Sequence, residues 1–154
     1  MLQSLKKIHI SIALLVLIFA INTSVNAQCK SEIKEGIKKL EPYTHNGQIN
    51  NITITGGTPV EVHLSFYKGL RYKLQIAAEP NLGPVQFKIY NENMDEIYDS
   101  NEDKENPDAW DFISTSSQEL TIKIASTDKS KKGCVAVLVG MKSTKVVSNP
   151  VRDL

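Results

Sequence analysis

The sequence has no surplus of positive charge, few aromatic residues and only two cysteines. Its 154 residues carry 18 Lys and Arg against 17 Asp and Glu, a formal charge of +1, and 6% of them are aromatic. Because nucleic-acid binding depends on a basic surplus that releases counterions, DNA and RNA are not expected as partners. With 8 Gly and 6 Pro the composition is that of one globular domain, which excludes collagen-like and low-complexity chains.

The N-terminal segment 1–27 lacks the roughly 20 consecutive apolar residues that a membrane-spanning helix needs. It has the three parts of a secretory signal peptide instead: two lysines, an apolar stretch at 8–21, and the small or aliphatic side chains of Val25 and Ala27 at the positions that a signal peptidase reads. We predict that the mature chain begins at Gln28 and is exported to the periplasm or the extracellular medium, with no membrane span left. A retained membrane anchor is the alternative.

The two cysteines of the predicted mature chain are Cys29 and Cys134. An even count in an oxidising compartment favours a disulfide, which would stabilise the fold by roughly 4–5 kcal/mol in the chain-entropy model. A reactive thiol is one alternative, but it needs a base, and neither His45 nor His63 lies in a cysteine-hydrolase signature. Lipid attachment at Cys29 is another, but Gln28 stands where lipoprotein processing requires a small residue.

Apolar and polar residues alternate with a period of two through most of the mature chain. Seven or eight such stretches, with Gly, Pro and Asn between them, favour an antiparallel β-sandwich or barrel over an α/β fold. If 60–67 and 71–78 pair as a hairpin, Phe66 lies opposite Tyr72 and Gly69 takes a left-handed position in a three-residue loop. If the chain crosses between sheets at this point, that argument from side-chain parity does not apply.

Residues 31–40 predict one short amphipathic helix, whose apolar side chains are Ile33, Ile37 and Leu40. Gly36 weakens this helix by about 1 kcal/mol relative to Ala. Such a helix persists only when its apolar stripe is covered, so we expect it to pack on the outside of a sheet.

The last apolar stretch, 134–141, is apolar on both faces, which is typical of a central strand that is covered on both sides. We expect the sandwich interior to cover its odd-numbered valines, Val135, Val137 and Val139. The N-terminal helix, brought close by the disulfide, is expected to cover Ala136 and Leu138. The predicted sandwich domain spans 28–142, and residues 143–154 are expected to form a loose C-terminal tail.

Negative charge is concentrated in segment 92–111, which holds nine acids against one lysine for a charge of −8. Four of its residues alternate like the oxygen ligands of a calcium loop. These candidate ligands are Asp99, Asn101, Asp103 and Glu105. Lys104 stands where a calcium loop turns on Gly, and Trp110 where it has its bidentate Glu, so a solvated acidic loop without metal is the alternative.

Tyr90, Tyr98 and Trp110 lie near the acidic segment and are candidates for a sugar-stacking or peptide-binding platform; the alternative is a core position for Trp110. No residue set specifies a reaction. The acids lie in one predicted loop rather than across a cleft, and His63 and Ser65 share a strand face without a nucleophile elbow.

We therefore predict a non-enzymatic binding or interaction module that needs no cofactor and whose ligand is an envelope or extracellular protein or a glycan. The alternative is a Ca²⁺-dependent domain that binds carbohydrate or peptide through the acidic loop 92–111.

Several short motifs are shared with a known group of proteins. They are Phe66-Tyr67-Lys68-Gly69 followed by Arg71-Tyr72, then Trp110-Asp111-Phe112, and then Gly133-Cys134-Val135 running to Val139-Gly140. Together they resemble small secreted bacterial proteins of uncharacterised function, and the strand layout over roughly 29–142 is similar to that of bacterial pre-peptidase C-terminal (PPC) domains. The resemblance implies a jelly-roll β-sandwich and a non-catalytic accessory role, and it implies no catalytic residues.

Overall fold

The computed structural model of the protein describes residues 29–144, so the predicted signal peptide and residues 145–154 of the predicted tail lie outside the described residues. One helix, α1 (Lys30–Lys39), precedes eight strands in this part of the chain. The strands are β1 (Thr44–Thr55), β2 (Val60–Phe66), β3 (Leu70–Ala78), β4 (Val85–Tyr90), β5 (Glu96–Asp99), β6 (Ala109–Ile113), β7 (Gln118–Ser126) and β8 (Lys132–Ser143). A 3₁₀ turn at Pro80–Leu82 joins β3 to β4.

The strands form two antiparallel sheets of four. Sheet A has the order β1-β8-β3-β6 and sheet B the order β2-β7-β4-β5. Each strand of the first half pairs with its mirror-image partner of the second half, β1 with β8, β2 with β7, β3 with β6 and β4 with β5. This is the pairing of a jelly roll, so the predicted fold, an all-β antiparallel sandwich with one short helix outside it, is confirmed.

The core lies between the two sheets and is built by the alternation that the sequence shows. Sheet A contributes Ile54, Leu74 and Val137, while sheet B contributes Phe87 and Ile122, each at most 1% exposed. Strand β8 lies between β1 and β3, and its three odd-numbered valines face this interior as predicted.

Helix α1 lies across the outer face of sheet A. Leu40 is fully buried in a second apolar cluster with Ala136 and Leu138 of β8, and Ile33 and Ile37 pack against the same cluster. The prediction that the helix covers this face of β8 is confirmed. The structure joins Cys29, directly before the helix, to Cys134 of β8 by a disulfide with a Cα–Cα distance of 5.5 Å, within the usual range for such bridges.

Gly36 explains how the helix comes so close to the sheet. It is the buried residue of α1, and a Cβ at this position would lie 2.5 Å from Leu138 Cδ1 and 2.9 Å from Ala77 Cβ. The glycine that weakens the isolated helix therefore permits the packing that stabilises it.

Of the two arrangements that the sequence leaves open for 60–67 and 71–78, the structure has the crossing and not the hairpin, because β2 belongs to sheet B and β3 to sheet A. The chain crosses between the sheets at Gly69, which has the expected left-handed φ of 84°. Phe66 and Tyr72 both face the core, but from opposite sheets, with ring centroids 4.9 Å apart in an edge-to-face arrangement.

The interpretation of 92–111 as one acidic loop is also wrong. The segment contains all of β5 and the first three residues of β6, and the connection between these strands is only 100–108. Strands of four and five residues contain too few alternating apolar and polar positions to be recognised in a segment with nine acids.

Candidate functional site

The predicted aromatic residues do not form one exposed platform. Tyr98 and Trp110 face the gap between the sheets, 5.3 Å apart by ring centroids, whereas Tyr90 lies on the outer face of sheet B. Trp110 also stacks on Phe112 at 4.0 Å. Because β5 and β6 are edge strands of different sheets, this stack closes the side of the sandwich where the two edges meet.

Tyr98 fastens the connection between β5 and β6 to the sandwich. Its hydroxyl lies 3.1 Å from the carbonyl oxygen of Ala109 and 3.2 Å from Oδ2 of Asp103. Burial and the neighbouring carboxylate of Asp103 raise the pKa of Tyr98 above its ordinary value. The neutral phenol is therefore a stable donor that holds 100–108 in place.

Three of the four predicted calcium ligands, Asp99, Asn101 and Asp103, form hydrogen bonds within the chain through their side chains. Oδ1 of Asp99 accepts hydrogen bonds from the backbone N–H and side-chain Nδ2 of Asn101, and its Oδ2 lies 2.7 Å from Nζ of Lys88. The bond from Lys88 lowers the pKa of Asp99, with help from the backbone of Asn101. Oδ1 of Asp103 accepts from the backbone N–H groups of Glu105 and Asn106 at 3.2 and 3.0 Å.

Within residues 29–144 no group of three or more His, Cys, Asp or Glu side chains is arranged to hold a metal ion. Calcium binding by the four predicted ligands stays a prediction, and the structure shows what it would displace: the turns that these carboxylates stabilise.

The outer face of sheet B carries charges that are paired with one another. Lys123 lies 2.9 Å from Glu61 and 5.1 Å above the ring of Tyr90. Lys88 lies 2.9 Å from Glu96, whose Oε2 also accepts a hydrogen bond from the hydroxyl of Tyr90. Most of the charges on this face are therefore paired with one another.

His63 and Ser65 share this face with Glu61, as the sequence predicts, but the ring of His63 is directed to the neighbouring strand. Its Nδ1 lies 3.1 Å from Oγ1 of Thr121 and 3.8 Å from a carboxylate oxygen of Glu119. The set is therefore a cross-strand contact between β2 and β7.

The edge formed by β5 and β6 is interrupted by a cavity of about 390 Å³, which we call the notch. It arises because both edge strands are shorter than their neighbours: β6 pairs with β3 only over 71–75, and β5 pairs with β4 only over 88–90. The ends of β3 and β4 therefore extend past the edge strands. The notch is lined by Ser31, Glu32, Glu35, Gly36 and Lys39 of α1, by residues 75–78 of β3, by Glu79, Pro80, Gly83 and Val85, and by Asp108.

The notch has an apolar floor and an acidic rim. Ile76, Ala77 and Val85 form part of the floor. Four of the lining residues are acids, and the one lysine among them, Lys39, lies 2.6 Å from Asp108. The rim is therefore net negative.

Segment 92–111 carries further negative charge outside the notch. Four of its nine acids lie within 4.0 Å of a Lys or Arg nitrogen: Glu96 and Asp99 at Lys88, Asp108 at Lys39, and Asp111 at Arg71. Among the described residues the other five have no such partner. These five acids, which together with the notch rim we call the acidic edge, are Glu92, Asp95, Glu102, Asp103 and Glu105.

The fold and the site define a class: a disulfide-linked jelly-roll β-sandwich with a helix on one face and an uncompensated acidic edge. No protein-family model and no curated protein matches the chain. Among solved structures it is similar to PliG from Aeromonas hydrophila, a periplasmic lysozyme inhibitor of g-type lysozyme, with 12% identity and a TM-score of 0.48 over 66% of this chain and 89% of that one. Likeness at this level does not identify a ligand, and the resemblance to PPC domains stays a prediction.

Proposed function

We propose that the protein is an exported, non-enzymatic binding module whose acidic edge binds a basic protein. The observation that carries the proposal is the concentration of negative charge in segment 92–111, which holds nine acids against one lysine. Five of these acids have no Lys or Arg partner among the described residues, whereas most charges on the outer face of sheet B are paired within that face. Unpaired surface charge of one sign attracts a partner of the opposite sign and accelerates its association.

Three carboxyl groups of the described residues have lowered pKa values, which does not suit these three to act as general acids. Glu35, Asp99 and Asp128 have pKa values that depart from the ordinary carboxyl value, and all three are lowered, by Lys38, Lys88 and Ser130 respectively. A general acid in a hydrolase needs a raised pKa. Lowered values belong to carboxylates that stay charged, which suits electrostatic recognition.

Export is part of the proposal and rests on the predicted signal peptide together with the disulfide. No helix within residues 29–144 is long and apolar enough to cross a membrane. We expect the intact mass of the protein recovered from an exporting host to correspond to a chain that begins at Gln28. A full-length mass, or one with added acyl groups, would contradict this.

Binding is tested with the exported protein against a panel of basic proteins, a g-type lysozyme among them, and acidic proteins of matched size. Glu102 and Glu105 are both exposed acids of the connection between β5 and β6. We expect Glu102→Gln/Glu105→Gln to weaken binding of a basic protein about threefold to tenfold, since each exposed charge pair contributes up to about 1 kcal/mol. The matched control is Glu41→Gln/Glu61→Gln, which removes two exposed acids outside the acidic edge and should leave the Kd unchanged.

Salt and calcium separate this proposal from the alternative. Electrostatic binding to a basic protein should weaken as salt rises from 50 to 200 mM and should be insensitive to chelator. Binding of a carbohydrate or peptide that appears only with millimolar Ca²⁺ would contradict the proposal and support the calcium-dependent domain. Equal Kd values for the two double variants would also contradict it.

A further inference from the structure

The notch exposes strand backbone as well as acidic side chains. The backbone N–H of Ile76 donates to the carbonyl oxygen of Asp108 on the β6 side, and that of Glu79 donates to Cys134 on the β8 side. Because the backbone groups of successive strand residues point to alternate sides, the N–H and C=O of Ala78 point to the β6 side. Strand β6 begins at Ala109 and pairs with β3 only as far as Gln75, so no described residue pairs with Ala78 there.

Gln75 and Asp108 terminate the pairing of β3 with β6. Gln75 is 1% exposed, and its Nε2 donates to the carbonyl oxygens of Ile76 and Asp108, both at 3.0 Å. Asp108 is also bonded to Lys39 of the helix. The open end of β3 therefore lies beside side chains whose positions are fixed by hydrogen bonds and an ion pair. An exposed strand edge of this kind is a template for an added strand.

We infer that the notch receives an extended segment of the basic partner, whose backbone pairs with Ala78 and continues the line of β6. This inference rests on the proposed function and identifies the chemistry of what is bound. The cavity volume of about 390 Å³ lies within the range of ligand sites.

The two faces of sheet A specify the side chains of that segment. Ala78 packs against the main core, whereas Ala77 belongs to the cluster under the helix. The residue paired with Ala78 would direct its side chain toward the interior, beside Val85, and so should be apolar. Its two neighbours would point to the helix side, where the rim holds Glu32 and also Glu35, which lies 2.8 Å from Lys38, and so should be Lys or Arg. The expected pattern is basic, apolar, basic.

The probe is the synthetic peptide acetyl-Thr-Lys-Val-Lys-Thr-amide, titrated into ¹⁵N-labelled exported protein and followed by amide chemical shifts. We expect saturable shifts centred on Gly36, Ala78 and Val85. The peptide with Glu in place of both lysines should not bind. A peptide methylated at the backbone nitrogen of its valine keeps the charge but loses one strand hydrogen bond, and we expect it to bind about tenfold more weakly.

Two protein variants complete the test. Glu32→Gln/Glu35→Gln should weaken binding of the peptide several-fold. Glu102→Gln/Glu105→Gln, which lies outside the notch, should change the affinity for the peptide less. Equal binding of the methylated peptide, or shifts located away from the notch, would overturn strand addition. If basic proteins bind through Glu102 and Glu105 while the notch amides do not shift, this inference fails and the proposed function stands. If neither basic proteins nor the peptide binds, both fail.

Discussion

The outer faces of the two sheets differ in the interactions that their side chains make. Over β3 and β8 the outer face of sheet A is covered by α1, which is anchored through Cys29 and Cys134 and completely buries Ala136 and Leu138. That of sheet B carries Glu61, Lys88, Lys123 and their partners in exposed and half-buried ion pairs. The first face contributes stability by apolar burial and the second contributes little, since exposed ion pairs are weak.

The difference shows where a ligand would find unsatisfied groups. Neither outer face exposes many unpaired polar groups, because α1 covers the centre of sheet A and ion pairs occupy much of sheet B. The acidic edge and the open end of β3 lie between these faces, where the short strands β5 and β6 leave charge and backbone free. Changes to the two faces should therefore alter stability, and changes to the edge should alter binding.

The largest expected effect is that of a charge under the helix. Leu138→Asp would place a carboxylate in a fully buried apolar site and should lower the free energy of unfolding by about 3–5 kcal/mol. Gln86→Asp introduces the same group on the half-buried outer face of sheet B and should cost less than about 1 kcal/mol. Urea denaturation measures both, and similar losses would remove the contrast between the faces.

Loss of the disulfide should destabilise the protein by about 2–5 kcal/mol. Because the bridge anchors the start of α1, whereas the strands are paired independently of it, the helix should loosen first. Hydrogen exchange of Cys29→Ala/Cys134→Ala should show faster exchange in α1 while the amides of β7 stay protected. Uniform loss of protection would contradict this order.

Gly36→Ala distinguishes helix propensity from packing by the sign of its effect. Propensity alone predicts a gain of about 1 kcal/mol. The new methyl group would lie 2.9 Å from Ala77 Cβ, which is attached to the backbone of β3 and cannot move aside, so we expect a loss of about 1–3 kcal/mol. Lys34→Ala, on the exposed side of the helix, should change stability by less than about 0.5 kcal/mol, and a stabilised Gly36→Ala would show that the contact is loose.

The smallest expected effect belongs to the ion pairs of sheet B. Since Lys88 lowers the pKa of Asp99, the folded state gains stability from this carboxylate above the unfolded pKa of about 3.9 and loses it as the pH falls through the lower folded value. Asp99→Asn should therefore cost at most about 1 kcal/mol at pH 7, and the difference from the wild type should shrink below about pH 4. Glu105→Gln, an acid without a cationic partner among the described residues, is the control and should show no such dependence.

The sequence predicts the fold best where pattern and covalent chemistry agree. The apolar stripe of Ile33, Ile37 and Leu40, the two-sided apolar strand and the cysteine pair all point to the same packing of helix on sheet. The sequence does not decide between a hairpin and a crossing at Gly69, because a glycine turn is compatible with both.

The candidate site was predicted only in part. The charge of segment 92–111 marks it as a candidate site, but it does not reveal the edge strands within the segment. The one local signal is Trp110-Asp111-Phe112, which alternates between apolar and polar residues as a strand would. The notch could not be predicted, because it depends on the lengths of β5 and β6 relative to their neighbours. Only the topology reveals which strands those neighbours are.

The central claim, that the acidic edge is the binding surface, is tested most directly by reversing charge on it. The affinity of one basic protein from the panel is compared between the wild type, Glu102→Lys/Glu105→Lys and the control Glu41→Lys/Glu61→Lys, all at 50 mM salt. The account predicts a loss of more than about tenfold for the first variant, as like charges then face each other, and a clearly smaller loss for the control. Equal losses in the two variants would show that net charge, and not this edge, determines binding, and would contradict the account.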